Sequence, residues 1–68
     1  MPYTVKYQNT EGATLLADKV VSDNEYSVVT EHYVPISNYT PRQFSITKEL
    51  TIHTEDNVIL FVYEEKTV

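Results

Sequence analysis

Six consecutive apolar or aromatic residues, Val58 to Tyr63, lie between a turn signal and three charges in the stretch DNVILFVYEEK. A half-buried strand alternates apolar with polar residues, because successive side chains point to opposite faces of the sheet. This stretch is apolar on both faces, which is typical of a strand in the middle of a sheet. We expect one face to lie on the core and the other to be only partly covered. Phe61 and Tyr63 share one face, and Leu60 and Val62 share the other.

Short strands and turns account for the first half of the chain. Tyr3 to Tyr7 alternate between apolar and polar residues, the pattern of a half-buried strand. The sequence QNTEG then supplies a turn in which Gly12, the only glycine, is expected to take a positive φ. Ala13 to Val21 predict a second strand that forms a hairpin with the first. After a turn at SDN, the sequence EYSVVT predicts a short third strand.

Two prolines divide the middle of the chain. Pro35 and Pro41 exclude a long helix there. Beyond them, QFSITKELTIHT alternates at Phe44 and Ile46 and again after an interruption at TK, which we interpret as a bend. Five to six short strands without extended helical periodicity predict a strand-dominated domain, all-β or α+β. The expected core residues are Val5, Tyr7, Leu15, Ile36, Phe44, Leu60, Phe61 and Val62.

Length and charge restrict the classes of partner. A chain of 68 residues supports one domain with a small core, because it buries only about 60% of its unfolded surface. The net charge is −5, and the five basic residues are scattered singly. Nucleic acids require clustered Lys and Arg, so we expect no nucleic-acid partner. No stretch reaches the roughly 18 apolar residues of a membrane span, so we expect no membrane insertion by this segment.

The candidate catalytic and metal-binding residues have simpler explanations. His32 and His53 are the groups that titrate near neutral pH. His53 precedes Glu55 and Asp56, an arrangement usable by a metal site or a general base, but an exposed strand histidine beside an acidic turn has the same pattern. Neither SDNE nor TEDN has the spacing of an EF-hand loop, and there is no cysteine. We expect a non-enzymatic protein without cofactor or metal.

Three stretches together resemble the mucin-binding protein (MucBP) repeat, a module of surface proteins of Gram-positive bacteria such as lactobacilli and listeriae. They are YTVKYQNTEGATLL, VPISNYTP and TEDNVILFVYEEK, and they cover nearly the whole chain. The residues that match the family pattern are Tyr7, Asn9, Gly12, Ile36, Tyr39, Thr40, Phe61, Val62 and Tyr63. The residues found where the family often has glycine are Val20, Asp23 and Asn38. Asn38 is compatible with a positive φ.

The resemblance implies a ubiquitin-like β-grasp sheet with a short or reduced helical element, in which the N-terminal hairpin lies beside the C-terminal strand. It also implies a location at the cell surface, with anchoring to the cell wall through other parts of a longer protein. We accordingly expect residues 1–68 to be a single module excised from a multi-repeat protein. Its expected partners are host mucin or glycoprotein and neighbouring repeats of the same chain.

Tyrosines are the candidate glycan contacts, because their faces stack on sugar rings while the hydroxyl forms hydrogen bonds. Tyr3, Tyr7 and Tyr63 lie on predicted strands, where packing explains them. Tyr33 and Tyr39 flank the proline segment and are our predicted glycan-binding residues. If they are exposed around one groove, adhesion is favoured. If they are buried, the alternative is favoured, a structural spacer that projects another domain away from the wall.

Overall fold

Six strands and one turn of 3-10 helix make up the fold in the computed structural model, which describes residues 1–66. The helical turn spans Thr54–Asp56. The strands are β1 (Tyr3–Asn9), β2 (Thr14–Val21), β3 (Val28–His32), β4 (Tyr39–Pro41), β5 (Ser45–Glu49) and β6 (Val58–Glu65). The predicted strand-dominated class is therefore confirmed.

A mixed four-stranded sheet has β6 next to β1 at its centre, in the order β2-β1-β6-β4. β1 pairs with β6 in parallel over six residues, from Thr4 opposite Val58 to Asn9 opposite Tyr63. The hairpin partner β2 and the short strand β4 are antiparallel to their neighbours. The prediction that the apolar stretch forms a central strand beside the N-terminal hairpin is confirmed.

The two faces of β6 differ in burial. Ile59, Phe61 and Tyr63 are at most 1% exposed and form the inner face of the sheet together with alternate residues of β1. The Phe61 ring stacks on Tyr7, with ring centroids 5.9 Å apart and an angle of 8° between the ring planes. On the outer face, Leu60 is 40% exposed. Placing Leu60 in the core was wrong, because residue 60 points away from the buried cluster.

A second sheet, formed by β3 and β5, completes the core. These strands pair in antiparallel fashion from Val28 opposite Glu49 to His32 opposite Ser45. Both alternate cleanly in burial, so one face of this two-stranded sheet is solvated. Val29 and Leu50, at 8% and 5% exposure, belong to the same buried cluster as β1 and β6.

The remaining core predictions have mixed outcomes. Val5, Tyr7 and Phe61 are buried, as predicted. The partly buried residues that the sequence placed in the core are Leu15, Ile36 and Val62.

Phe44, however, is 68% exposed, so its assignment to the core was wrong. β5 begins one residue later, and only Ile46 of the predicted alternation at 44 and 46 packs against the core. The predicted bend at TK was also wrong, because Thr47 and Lys48 lie within β5 and the strand ends after Glu49.

Asn57 is a fully buried polar residue that holds three segments together. Its side-chain nitrogen donates to the carbonyl oxygens of Pro2, at 3.1 Å, and Thr51, at 2.9 Å. Its side-chain oxygen accepts from the Thr51 amide at 2.9 Å, and its own carbonyl accepts from the Thr4 amide at 2.9 Å. A buried polar group without partners costs about 1–3 kcal/mol, so these bonds are what make the position tolerable. The sequence predicted only a turn here.

A carboxylate links the two sheets. Glu31 of β3 accepts hydrogen bonds from the Tyr3 hydroxyl, at 2.5 Å, and from the Lys19 ammonium, at 2.9 Å. Burial, together with the bond to Glu31, raises the pKa of Tyr3 to about 12. Burial alone would raise the pKa of Glu31 as well, but the bonds from Tyr3 and Lys19 outweigh it and the pKa is lowered. The folded protein therefore favours the charged form of this carboxyl.

We expect Phe61→Ala to lower the free energy of unfolding by about 3–5 kcal/mol, because it opens a cavity beside Tyr7. That is a large share of the stability of so small a domain. Leu60→Ala, on the outer face of the same strand, should cost about 1 kcal/mol because the side chain is partly exposed. Urea unfolding followed by circular dichroism measures both. Equal losses in the two variants would contradict the assignment of the faces.

The Glu31 contacts should make stability depend on pH in the acid range. Because the folded-state pKa lies below the ordinary value of 4.5, this stabilisation is present above that value and is lost as the pH falls through the folded pKa. At pH 7 we expect Glu31→Gln to lower the Tm by about 4–8 °C, corresponding to about 1 kcal/mol. The gap between wild type and variant should narrow as the pH falls below 4.5 and through the lowered folded-state pKa of Glu31. A gap that stays constant across this range would rule out the ionic contribution.

Candidate functional site

A shallow groove lined mainly by aromatic and proline side chains lies at the end of the sheet where β4 pairs with the last residues of β6. Its volume is about 240 Å³. The residues that line this aromatic groove are Tyr33, Pro35, Ile36, Tyr39, Thr40, Pro41, Phe44 and Lys66. Both tyrosines predicted as glycan contacts therefore meet at one surface feature.

The loop between β3 and β4 turns sharply to place these residues. The Tyr39 amide donates to the Ile36 carbonyl at 3.1 Å, closing a four-residue turn. Asn38, the third residue of the turn, has a φ of 70°. A type II turn requires a positive φ at this position, and asparagine tolerates it better than most residues. The predicted compatibility of Asn38 with a positive φ is confirmed, as is the positive φ of Gly12.

The core anchors this loop through a single hydroxyl. Tyr63, which is 0% exposed, donates from its hydroxyl to the Val34 carbonyl oxygen at 2.8 Å. The oxygen of the same hydroxyl accepts from the Val34 amide at 3.1 Å. Burial raises the pKa of Tyr63, so the hydroxyl keeps the proton that it donates. Because Val34 lies between Tyr33 and Pro35, this pair of bonds fixes the backbone of one wall of the groove.

Phe44 lines the groove beside Tyr33. Its carbonyl oxygen accepts from the Tyr33 amide at 3.0 Å. Its ring meets the Tyr33 ring edge to face, with centroids 5.5 Å apart and 64° between the planes. Such pairs add about 0.5–1.5 kcal/mol beyond the area they bury. With most of its surface exposed, Phe44 presents an apolar ring to solvent at the mouth of the groove.

The arrangement suits a flat ligand with one apolar face. Tyr33 and Tyr39 are half-buried, and within residues 1–66 neither hydroxyl forms a hydrogen bond. Lys66 is the one charged residue among the described residues that line the groove, and its amide donates to the Asn38 carbonyl at 2.8 Å. Proline and aromatic faces bind rings by contact, while free hydroxyls and an ammonium supply hydrogen bonds.

Of the aromatic residues that line the groove, sequence reasoning proposed Tyr33 and Tyr39 as contacts but not Phe44. The alternation with Ile46 predicted an inward-facing Phe44, whereas the residue precedes the strand and packs on Tyr33 instead. The available indication that Phe44 lies outside the regular strand was its position shortly after Pro41. Prolines at strand edges mark positions where a chain leaves its regular pairing.

Within residues 1–66, the candidate catalytic and metal-binding residues of the sequence do not come together at one site. His53 lies before the 3-10 turn, with Nδ1 3.9 Å from a Glu55 carboxylate oxygen, and both side chains are exposed. In the TEDN stretch, Asn57 is turned inward and uses its amide on the backbone. Residues 1–66 contain no group of three or more His, Cys, Asp or Glu residues that could hold a metal ion. No helix within the same residues has the length and apolar character to cross a membrane.

A second cavity of about 270 Å³ lies at the opposite end of β6, between the start of β1 and the 3-10 turn. Its aromatic member is Tyr3, which is buried and whose hydroxyl is bound to Glu31. The rest of its surface comes from Pro2, Thr4, Val20, Thr54 and Glu55. This cavity presents no free aromatic face, so the aromatic groove is the better candidate for a binding site.

Searches with the whole chain against protein-family models, curated proteins and solved structures find no match.

Proposed function

We propose that this domain is a non-catalytic adhesion module of a bacterial cell-surface protein, and that it binds host mucin or glycoprotein through the aromatic groove. The observation that carries the proposal is the meeting of Tyr33, Tyr39 and Phe44 at one surface depression. A grouping of accessible aromatic side chains at one groove favours adhesion, whereas fully buried tyrosines would have favoured a spacer. The resemblance to MucBP repeats supplies the class of ligand.

The size of the groove supports weak binding that is multiplied by repetition. At about 240 Å³ it is smaller than the roughly 300–1,000 Å³ of sites for drug-sized ligands. It therefore suits one or two sugar rings, with low affinity for each domain. Tandem copies on one surface protein would raise the overall affinity by about 10²–10⁴ through effective concentration.

Charge favours stacking over electrostatic capture. The net charge of −5 opposes the approach of sialylated or sulfated glycans at low salt. Within the described lining, Lys66 is a single counter-charge at the edge of the groove. We therefore propose recognition through the apolar face of a sugar, with hydrogen bonds from Tyr33 and Tyr39.

The finer fold that we propose is a β-grasp. Its support is the pairing of the N-terminal hairpin with a parallel C-terminal strand at the sheet centre. The β-grasp sheet is normally covered by a helix. In residues 1–66 the two-stranded β3–β5 sheet contributes Val29 to the core instead, and the helical element is reduced to Thr54–Asp56.

A structural spacer is the second candidate, and the shape of the molecule favours it. The Cα positions extend 43 × 19 × 15 Å, and the radius of gyration is 12.6 Å. A compact domain of this length would have a radius of gyration of about 11 Å. The parallel central strands start at one end of the sheet and finish at the other. Copies joined end to end would thus each lengthen a stalk along the long dimension of the domain.

Adhesion is tested by binding of the single domain, and of a chain with several copies in tandem, to a glycan array and to immobilised mucin. We expect binding by the tandem chain and at least about 3–10-fold weaker binding when every copy carries Phe44→Ala, because each copy loses one aromatic contact. Phe44 is largely exposed, so this variant should stay folded, with the Tm lowered by about 2–12 °C through loss of the edge-to-face contact with Tyr33. Tyr26→Ala is the matched control, since Tyr26 is 73% exposed and does not line the groove. Absence of binding by both the single domain and the tandem chain would leave the spacer as the function.

Tyr63→Phe tests whether the core hydroxyl shapes the groove. The ring still fills its place beside Ile59 and Phe61, but the Val34 amide and carbonyl lose their partner. We expect a loss of about 1–3 kcal/mol in the free energy of unfolding, together with faster amide exchange at Val34. Mucin binding should weaken in proportion to the disorder of the loop. An unchanged exchange rate at Val34 would contradict the anchoring role.

A further inference from the structure

The first and last strands of the described chain are neighbours in the sheet and run in the same direction. β1 and β6 pair over six residues, from Thr4–Val58 to Asn9–Tyr63. Pro2 therefore lies at one end of this pair, and Lys66 lies at the other. A pull applied between residue 1 and residue 66 would be directed along both strands, in opposite senses.

The direction of a pull decides how a strand pair separates. Parallel strands are joined by evenly spaced hydrogen bonds across the pair. When the strands are drawn past each other, the bonds share the load and must break together. When the strands are peeled apart from one end, the bonds break one after another, each under the whole force. A pull between residue 1 and residue 66 draws β1 and β6 past each other, so their hydrogen bonds share the load.

Further hydrogen bonds, which we call ties, join both ends of the β1–β6 pair to neighbouring segments. At the start, the Asn57 side chain donates to the Pro2 carbonyl at 3.1 Å, and the Thr4 amide donates to the Asn57 carbonyl at 2.9 Å. At the finish, β4 pairs with β6 from Tyr39 opposite Glu65 onward. The Lys66 amide there donates to the Asn38 carbonyl at 2.8 Å. A pull on the ends must therefore break these ties in addition to the central pair.

We infer that the domain has a mechanical function: it resists unfolding when tension is applied along its chain. The inference rests on the pairing of β1 with β6 and on the ties at their ends. It is independent of what the aromatic groove binds. In a stalk it would keep each copy folded under pull, and in an adhesin it would keep the binding surface intact while the bound partner is drawn away.

Single-molecule force spectroscopy on one protein pulled in two directions tests this function. The protein carries Glu11→Cys and has a handle at the C-terminal end in both cases. The second handle is attached either at the N-terminal end or at residue 11, in the exposed turn between β1 and β2. The chain has no natural cysteine, so the label is unique. Residue 11 and Lys66 lie at the same end of the β1–β6 pair, so this second pull peels the strands apart.

At the same constant force, we expect unfolding at least about tenfold slower through the chain ends than through residue 11, because more hydrogen bonds break in one step. Stability is identical in the two measurements, since the protein is the same. Equal rates, or faster unfolding through the chain ends, would overturn the mechanical function. Neither measurement includes a ligand, so failure here is distinguishable from failure of the adhesion proposal.

Discussion

The parallel pairing of β1 with β6 is the interaction on which the rest of the structure depends. It sets Tyr7 on Phe61 and places Val5 beside Ile59, so that two short stretches at opposite ends of the sequence supply most of the buried side chains. The remaining strands pack around this central pair. β2 and β4 cover its two edges, while β3 and the end of β5 bring Val29 and Leu50 to its inner face.

In a core this small, a residue that packs the interior also positions a neighbouring loop. Tyr63 fills the interior with its ring and ends in a hydroxyl that binds the backbone of Val34. One residue thus belongs to the buried cluster and also holds the backbone between Tyr33 and Pro35, two residues that line the aromatic groove. Asn57 has a similar dual role at the other end of β6, where a fully buried amide joins the N-terminus to the loop at Thr51. The apolar stretch of β6 thus lies between two polar groups, the Asn57 amide and the Tyr63 hydroxyl, and each forms hydrogen bonds with the backbone of another segment.

The elements that sequence predicted well are those whose pattern is local. β1 alternates, β6 is apolar on both faces, and Gly12 and Asn38 lie where turns need a positive φ. Tyr33 and Tyr39, which flank a proline segment, both line the aromatic groove, and their role as glycan contacts stays a prediction. Leu60 and Phe44 were misplaced because hydrophobicity does not say which face of a sheet is covered or where a strand begins. The roles of Asn57 and the Tyr63 hydroxyl depend on partners that are distant in sequence, so no local pattern could reveal them.

The closure of the sheet by its last strand has a consequence for biosynthesis. Asn57 and Pro2 are 55 residues apart in sequence, yet they are in direct contact. While the chain is being made, Tyr3, Val5 and Tyr7 have no inner-face partners from β6 until that strand has emerged. Pairing between such distant segments is slow compared with the formation of local contacts. A nascent chain of this kind therefore completes its central sheet and its core only after most of the domain has been synthesised.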